Sequence, residues 1–190
     1  MPHIHTEPGQ HDASVTAFIV RLDLDEPRLL LMPHKKLASL LPPGGQVELD
    51  ETPWGALAHE LKEETGYTFD DLDVVQPKTR LKNLSQITLH PQPILSNSHY
   101  IPHEHYHTDL DYLFIANGDP KTKPHEGEVQ ELRWVTQSEV NALRDDEIMS
   151  NIREISDYVF SVLLTADDHE RISASLYSTS KIQHDNTKLR

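Results

Sequence analysis

Three glutamates, Glu60, Glu63 and Glu64, stand at i, i+3 and i+4, the spacing that brings side chains onto one face of a helix. At roughly 100° per residue they cover a narrow arc beside a stripe made by Leu57 and Leu61. Lys62 points to the opposite side and neutralises none of them. Like charges at i, i+4 cost a helix about 0.2–0.5 kcal/mol per pair. These also lie in the last turns, where the helix dipole is itself negative. Glu51, just ahead of the helix, is a fourth carboxylate able to fold back toward this face. A hard divalent cation, Mg2+ or Mn2+, removes the conflict, because all-oxygen ligand sets suit such ions. A solvated acidic face is the other reading, and on a chain of net charge −14 it is the usual one.

The carboxylates need a helix with fixed ends. Thr52 is a good N-cap, Pro53 fits the first helical position, and Gly66 suits the left-handed residue that follows Thr65. Pro42-Pro43-Gly44-Gly45 punctuates the chain before that helix. β-Branched and aromatic runs predict strands over 14–20, 28–32, 72–75, 85–89, 109–116 and 129–135. Thr136 and Glu139 fit a capping box. Ile148, Ile152, Ile155 and Val159 predict a last helix over 146–164. On these elements alone the chain is one mixed α/β or α+β domain. Residues 1–12 read as an N-terminal arm, 13–166 as the domain, and 167–190 as a polar tail or a short extra helix.

Taken together, the segment runs Gly45-x5-Glu51-x7-His59-Glu60-Leu61-x-Glu63-Glu64-x-Gly66-Tyr67. It resembles the signature of the MutT-like Nudix hydrolases, Gly-x5-Glu-x7-Arg-Glu-apolar-x-Glu-Glu-x-Gly-apolar, agreeing at eight of nine specified positions. So many fixed spacings make a specific match, and the likeness extends over about residues 14–140. It implies an α/β/α sandwich around a mixed β-sheet. It also implies metal-activated attack by water on the pyrophosphate of a nucleoside diphosphate linked to another group. By the same resemblance, Glu60 and Glu64 are the main ligands of Mg2+ or Mn2+, and Glu63 shares the cluster. The Gly45 carbonyl reaches a metal beside the substrate, and Glu51 is a weaker or outer ligand. Family members often draw a further carboxylate from the loop before a late strand. Here that is Glu128, with Glu126 next, so Glu63 and Glu128 are equal candidates for the general base. His59 departs from the pattern: the family's Arg braces the glutamate that is Glu51 here, and histidine pairs more weakly. That departure favours an alternative, a catalytically weak Nudix-fold module that binds or senses a nucleotide.

A second unusual run is His103-Glu104-His105-Tyr106-His107-Thr108-Asp109-Leu110-Asp111. In an extended chain the three histidines and two aspartates share one face. The run can serve the substrate pocket through His105 and His107, with protonated imidazoles meeting phosphates. A plain polar approach to a strand is the next reading, and a separate transition-metal site the last. Tyr112 and Phe114 fall on the opposite, core side. Trp54 and Trp134 are better placed for packing than for stacking on a base.

Composition narrows the partners. Seventeen Lys and Arg against 31 Asp and Glu leave no basic face for bulk nucleic acid. A small nucleotide-type diphosphate is therefore the expected partner, carried by a cation. With no cysteine, disulfides, thiolate zinc sites and cysteine nucleophiles are excluded, as is the isoprenoid-diphosphate isomerase branch of the fold, which relies on one. No apolar stretch approaches the roughly 20 residues that span a bilayer, and residues 1–12 do not read as a signal peptide. A cytoplasmic protein is expected, with a homodimer possible by family habit.

Overall fold

A computed structural model describes residues 7, 9–34, 37–101, 105–125 and 131–180. Its centre is a mixed sheet. Strand β1 (His11–Arg21) turns through 22–27 into β2 (Arg28–Pro33), and two short strands follow, β3 (Leu40–Leu41) and β4 (Gly44–Gln46). Helix α1 (Pro53–Thr65) comes next, then β5 (Leu72–Pro77), β6 (Leu95–Tyr100), β7 (Tyr106–Ala116) and β8 (Arg133–Val135). Helices α2 (Gln137–Ala142) and α3 (Ser150–Tyr158) precede a last strand, β9 (His169–Ser173). The main path is β3-β2-β1-β7-β5-β9, with β4 on β1, β6 on β7 and β8 on β2.

β1 and β7 pair in parallel from His11↔Tyr106 to Arg21↔Ala116, and the other ladders are antiparallel. A central parallel pair is covered on both faces, so each of its strands feeds two cores. Val15, Ala17 and Ile19 of β1 join Tyr112 and Phe114 of β7 beneath α1, through Trp54, Leu57 and Leu61. Phe18 and Val20 join Leu113 and Ile115 on the other face, beneath α2 and α3, through Val140 and Ile152, with Ile148 from the segment between the two helices. The expected α/β/α sandwich is what the chain forms. Among the described residues no helix is long and apolar enough to cross a membrane.

Several expected boundaries shift. No strand forms over 85–89: Gln86 takes a left-handed φ of 63° inside a turn, and its neighbours face solvent. The partner of β7 is instead the polar segment β6, whose sequence LSNSHY carries no apolar alternation. The strand expected over 129–135 is observed at Arg133–Val135, residues 126–130 lying outside the described ones. The helix expected over 146–164 begins at Ser150, because Glu147 closes a turn back on Arg144 instead. It ends in a wide π-turn, Val159–Leu163. The expected tail also holds structure: β9 pairs with β5 from Asp73↔Ser173 to Pro77↔His169, and Tyr177 packs edge-on to Trp54 at 5.9 Å.

Candidate active site

α1 is held at both ends as its sequence requires. The Thr52 hydroxyl accepts from the Gly55 N–H at 3.1 Å, and Gly66 takes φ 78° with its N–H on the Lys62 carbonyl. That left-handed cap is also a close approach, since a Cβ on Gly66 would overlap the Thr122 carbonyl. The Thr122 hydroxyl in turn donates to the Gly66 carbonyl at 2.6 Å. Trp54, Leu57 and Leu61 are wholly buried. They set the rotation of the helix and so aim its acidic face.

That face meets β4. The Gly44 N–H donates to Glu64 Oε2 at 3.0 Å. Glu60 lies against Gly45 so closely that a Cβ there would overlap its carboxylate. A side chain on Gly44 would overlap the Val15 carbonyl on the adjoining strand. The two glycines therefore let β4 pass between β1 and α1. His59 sits between the remaining two carboxylates: its Nδ1 is 3.3 Å from Glu51 Oε1 and its Nε2 is 3.7 Å from Glu63 Oε2. Beside them lies a cavity of about 230 Å3 lined by Glu51, Thr52, Gly55, Ala58, His59 and Thr179.

The donor set fits a hard divalent ion. Four carboxylates and the strand β4 backbone offer oxygen, and Glu51 Oε2 is buried with no hydrogen-bond partner, an arrangement a cation relieves. Among the described residues no group of three or more His, Asp or Glu side chains is placed to hold a metal ion. This is compatible with Mg2+, which is commonly held by one or two carboxylates, waters and substrate phosphates. Glu126 and Glu128, the loop candidates, lie outside the described residues, as does His103. The described part of that loop ends at His125, whose N–H donates to the Glu63 carbonyl at 2.7 Å.

His105 and His107 do not join the acidic ridge. They belong to the opposite face of the sheet, with Asp109 and Asp111 as the alternation of β7 requires. Their Nε2 atoms are 3.0 Å apart, and Gln46 reaches His107 at 3.4 Å while donating to Asp12 at 3.0 Å. Burial, together with the neighbouring His99 and His105, holds His107 below the ordinary histidine range. It is thus a poor phosphate-binding cation, against the expectation drawn from sequence. Burial and the adjacent Asp109 push Asp111 up to about 8. The sequence reading missed Asp12, Ser14, Thr16 and Asn97, which complete this polar floor. The signal was present in β1, where Asp12, Ser14 and Thr16 alternate in phase with the core residues Phe18 and Val20.

Trp54 is pure packing, with Phe69 at 4.3 Å and Phe114 at 5.8 Å. Trp134 is half-buried, edge-on to Tyr67 and under the Arg21 guanidinium at 5.7 Å.

The family model of the NUDIX domain matches residues 11–155. The chain belongs to the Nudix family. A NUDIX family hydrolase from Clostridium perfringens shares this Nudix fold with a TM-score of 0.63 at 27% identity, over 80% of this chain and 97% of that one. The Ap4A hydrolase of C. elegans, in a binary complex, has a TM-score of 0.60 at 16% identity over 82% and 99% of the two chains. The NUDIX domain of Shewanella oneidensis NrtR, complexed with ADP ribose, has 0.56 at 12% over 86% and 93%. These last two show likeness of fold alone. No curated protein sequence matches the chain. As a Nudix hydrolase the protein acts on phosphoanhydride bonds.

Proposed function

We propose that the protein cleaves the pyrophosphate bond of a nucleoside triphosphate or another nucleoside diphosphate derivative with Mg2+ or Mn2+. The observation that carries this reading is the docking of Glu60 and Glu64 on the Gly44-Gly45 strand, beside a buried Glu51 oxygen without a partner. Glu60 and Glu64 would be the main ligands, Glu63 would share the cluster, and Glu51 and the Gly45 carbonyl would complete it. When bound, the ion neutralises the diphosphate and lowers the pKa of an attacking water. The chain's own part is to hold four negative groups together until substrate arrives. The Gly44 N–H takes part of the charge on Glu64, and His59 spaces Glu51 from Glu63. Glu63 and Glu128 are the two candidates to accept the water's proton, and Glu63 is half-exposed. Gly45, His105 and His107 would border the substrate, His107 as a neutral hydrogen-bonding group. A small nucleotide, in the cytoplasm, is the partner this chemistry suits.

A second reading, a nucleotide-binding module with weak turnover, draws on one observation. At His59 an imidazole, 3.3 Å and 3.7 Å from its two carboxylates, stands where the family signature has a guanidinium.

The test is a panel of nucleoside triphosphates, ADP-ribose and dinucleoside polyphosphates, incubated with Mg2+ or Mn2+ and read for phosphate or monophosphate release. Metal-dependent release that falls about 10²–10⁴-fold in Glu64→Gln or Glu63→Gln supports hydrolysis. Ligand-induced stabilisation with no release supports the binding module.

A further inference from the structure

The face of the sheet that α1 covers ends in a row of aromatic rings. Successive residues of a strand point to opposite faces, so the run Ile19, Ala17 and Val15 beneath α1 continues back through Ala13 to His11. His11 pairs across the sheet with Tyr106, and Tyr106 with Tyr100. The rings follow the ladders. His11 stacks on Tyr106 with centroids 5.1 Å apart and planes 21° apart, and Tyr106 meets Tyr100 at 5.1 Å. His11 Nδ1 is also 3.0 Å from Thr108 Oγ1, which fixes the imidazole at a second point. Yet the row is not buried: Tyr100 is 52% exposed, Tyr106 39%, and His11 is exposed as well. Rings gathered on an open surface mark an interaction site, as scattered ones do not.

The row shares its face with the acidic ridge and lies in line with it. Gly45, against which Glu60 lies, pairs with Val15. His11 is four residues further back along β1, about 13 Å at roughly 3.3 Å per residue. That is close to the reach of a nucleoside diphosphate from its terminal phosphate to its base. Ala13, between the two, is small and exposed, so the path is open. The ladder of β1 with β4 stops at Ser14. The imidazole face turned away from Tyr106 looks into the lane that β4 leaves there. Positions 11, 98, 100, 106 and 108 hold no carboxylate, lysine or arginine, so the row offers ring faces beside a ridge that offers charge.

We propose that the imidazole of His11, backed by Tyr106 and Tyr100, is the stacking platform for the base of the substrate's nucleoside half. This rests on the hydrolase reading for the presence of a nucleotide, but the contact is independent of the metal and of turnover. His11 sets affinity for the organic half and takes no part in the bond cleavage. Stacking on an aromatic ring tolerates any base, because each presents a π-face. The site therefore separates nucleotides from base-free diphosphates and does not separate one purine from another.

Calorimetric titration of the full chain, with Mg2+ present, tests this with α,β-methylene-ADP, α,β-methylene-GDP and methylene diphosphonate, whose bridges resist cleavage. Both nucleotides should bind about tenfold or more tightly than the diphosphonate, and about equally with each other. His11→Ala should cut that nucleotide-to-diphosphonate ratio about tenfold, and His11→Phe, which keeps a ring, should restore it. Thermal melts of both variants separate binding from bracing. Cross-strand aromatic pairs also stabilise sheets, so a His11→Ala chain that melts earlier with its ratio unchanged overturns the proposal. Nucleotides that bind no better than the diphosphonate overturn it too, as does a strong preference for one purine. The wild-type comparison needs no variant, so poor folding of His11→Ala leaves the test intact. A chain that holds nucleotides through His11 yet hydrolyses nothing keeps the platform and loses the hydrolase reading; one that hydrolyses with its ratio untouched in His11→Ala does the reverse.

Discussion

His59 Nδ1 lies 3.3 Å from Glu51 Oε1, and the same ring reaches toward Glu63 from its other nitrogen. One imidazole thus stands between two carboxylates of the ridge, within ion-pair distance of both. Removing a group that orients ligands typically costs 10–100-fold in metal affinity or activity. His59→Ala should weaken Mn2+ binding by about that range, measured by the paramagnetic signal of free Mn2+. His59→Arg should retain binding, because a guanidinium can span both partners.

The paired glycines separate function from stability. A methyl group at Gly45 meets only the mobile end of Glu60, whereas one at Gly44 meets the Val15 backbone carbonyl. Gly45→Ala should therefore fold, with a melting temperature close to wild type, yet lose metal-dependent hydrolysis. Gly44→Ala should lose stability by about 1–3 kcal/mol or more, as overpacking does. Thermal melts and turnover measured on the same preparations separate the two.

Asp111 keeps its proton in the folded chain up to about pH 8, against an ordinary value of 3.8. Folding stability from this group is full below pH 3.8, declines above it, and is lost as pH rises through about 8. Asp111→Asn, which mimics the neutral carboxyl, should flatten the stability curve over that window. Urea unfolding at a series of pH values reads the change directly.

The C-terminal segment is part of the core. Ile172 packs against the cluster beneath α1, and Tyr177 meets Trp54 edge-on. Tyr177→Ala should lose about 0.5–1.5 kcal/mol for the aromatic contact, plus the buried area. Truncation after Thr165 should cost far more, because it leaves the outer edge of β5 unpaired. Differential scanning calorimetry distinguishes both from wild type.

What could be read from sequence was local. The ends of α1 follow from Thr52, Pro53 and Gly66, each acting within one turn, and the acidic face follows from helical spacing. The capping box of Thr136 and Glu139 forms for the same reason. What could not be read was pairing at a distance. The segment 85–89 is richer in strand formers than β6, yet β6 lies opposite β7 and takes the ladder. His105 and His107 stand out as a run, but only the parallel match of β1 with β7 reveals that Ser14 and Asp109 are partners. β9 carries too few apolar residues to announce itself; an open edge on β5 recruits it.

The strand that opens the described sheet is also its middle. β1 finds its longest partner, β7, only after most of the domain has been made. While the ribosome is still adding residues, the first-made strand must wait with its apolar side chains unsheltered. Contacts so distant in sequence make folding slow, and a waiting central strand invites association with neighbouring nascent chains. Slower synthesis before residue 106 lengthens that exposure, and chaperone dependence should follow it.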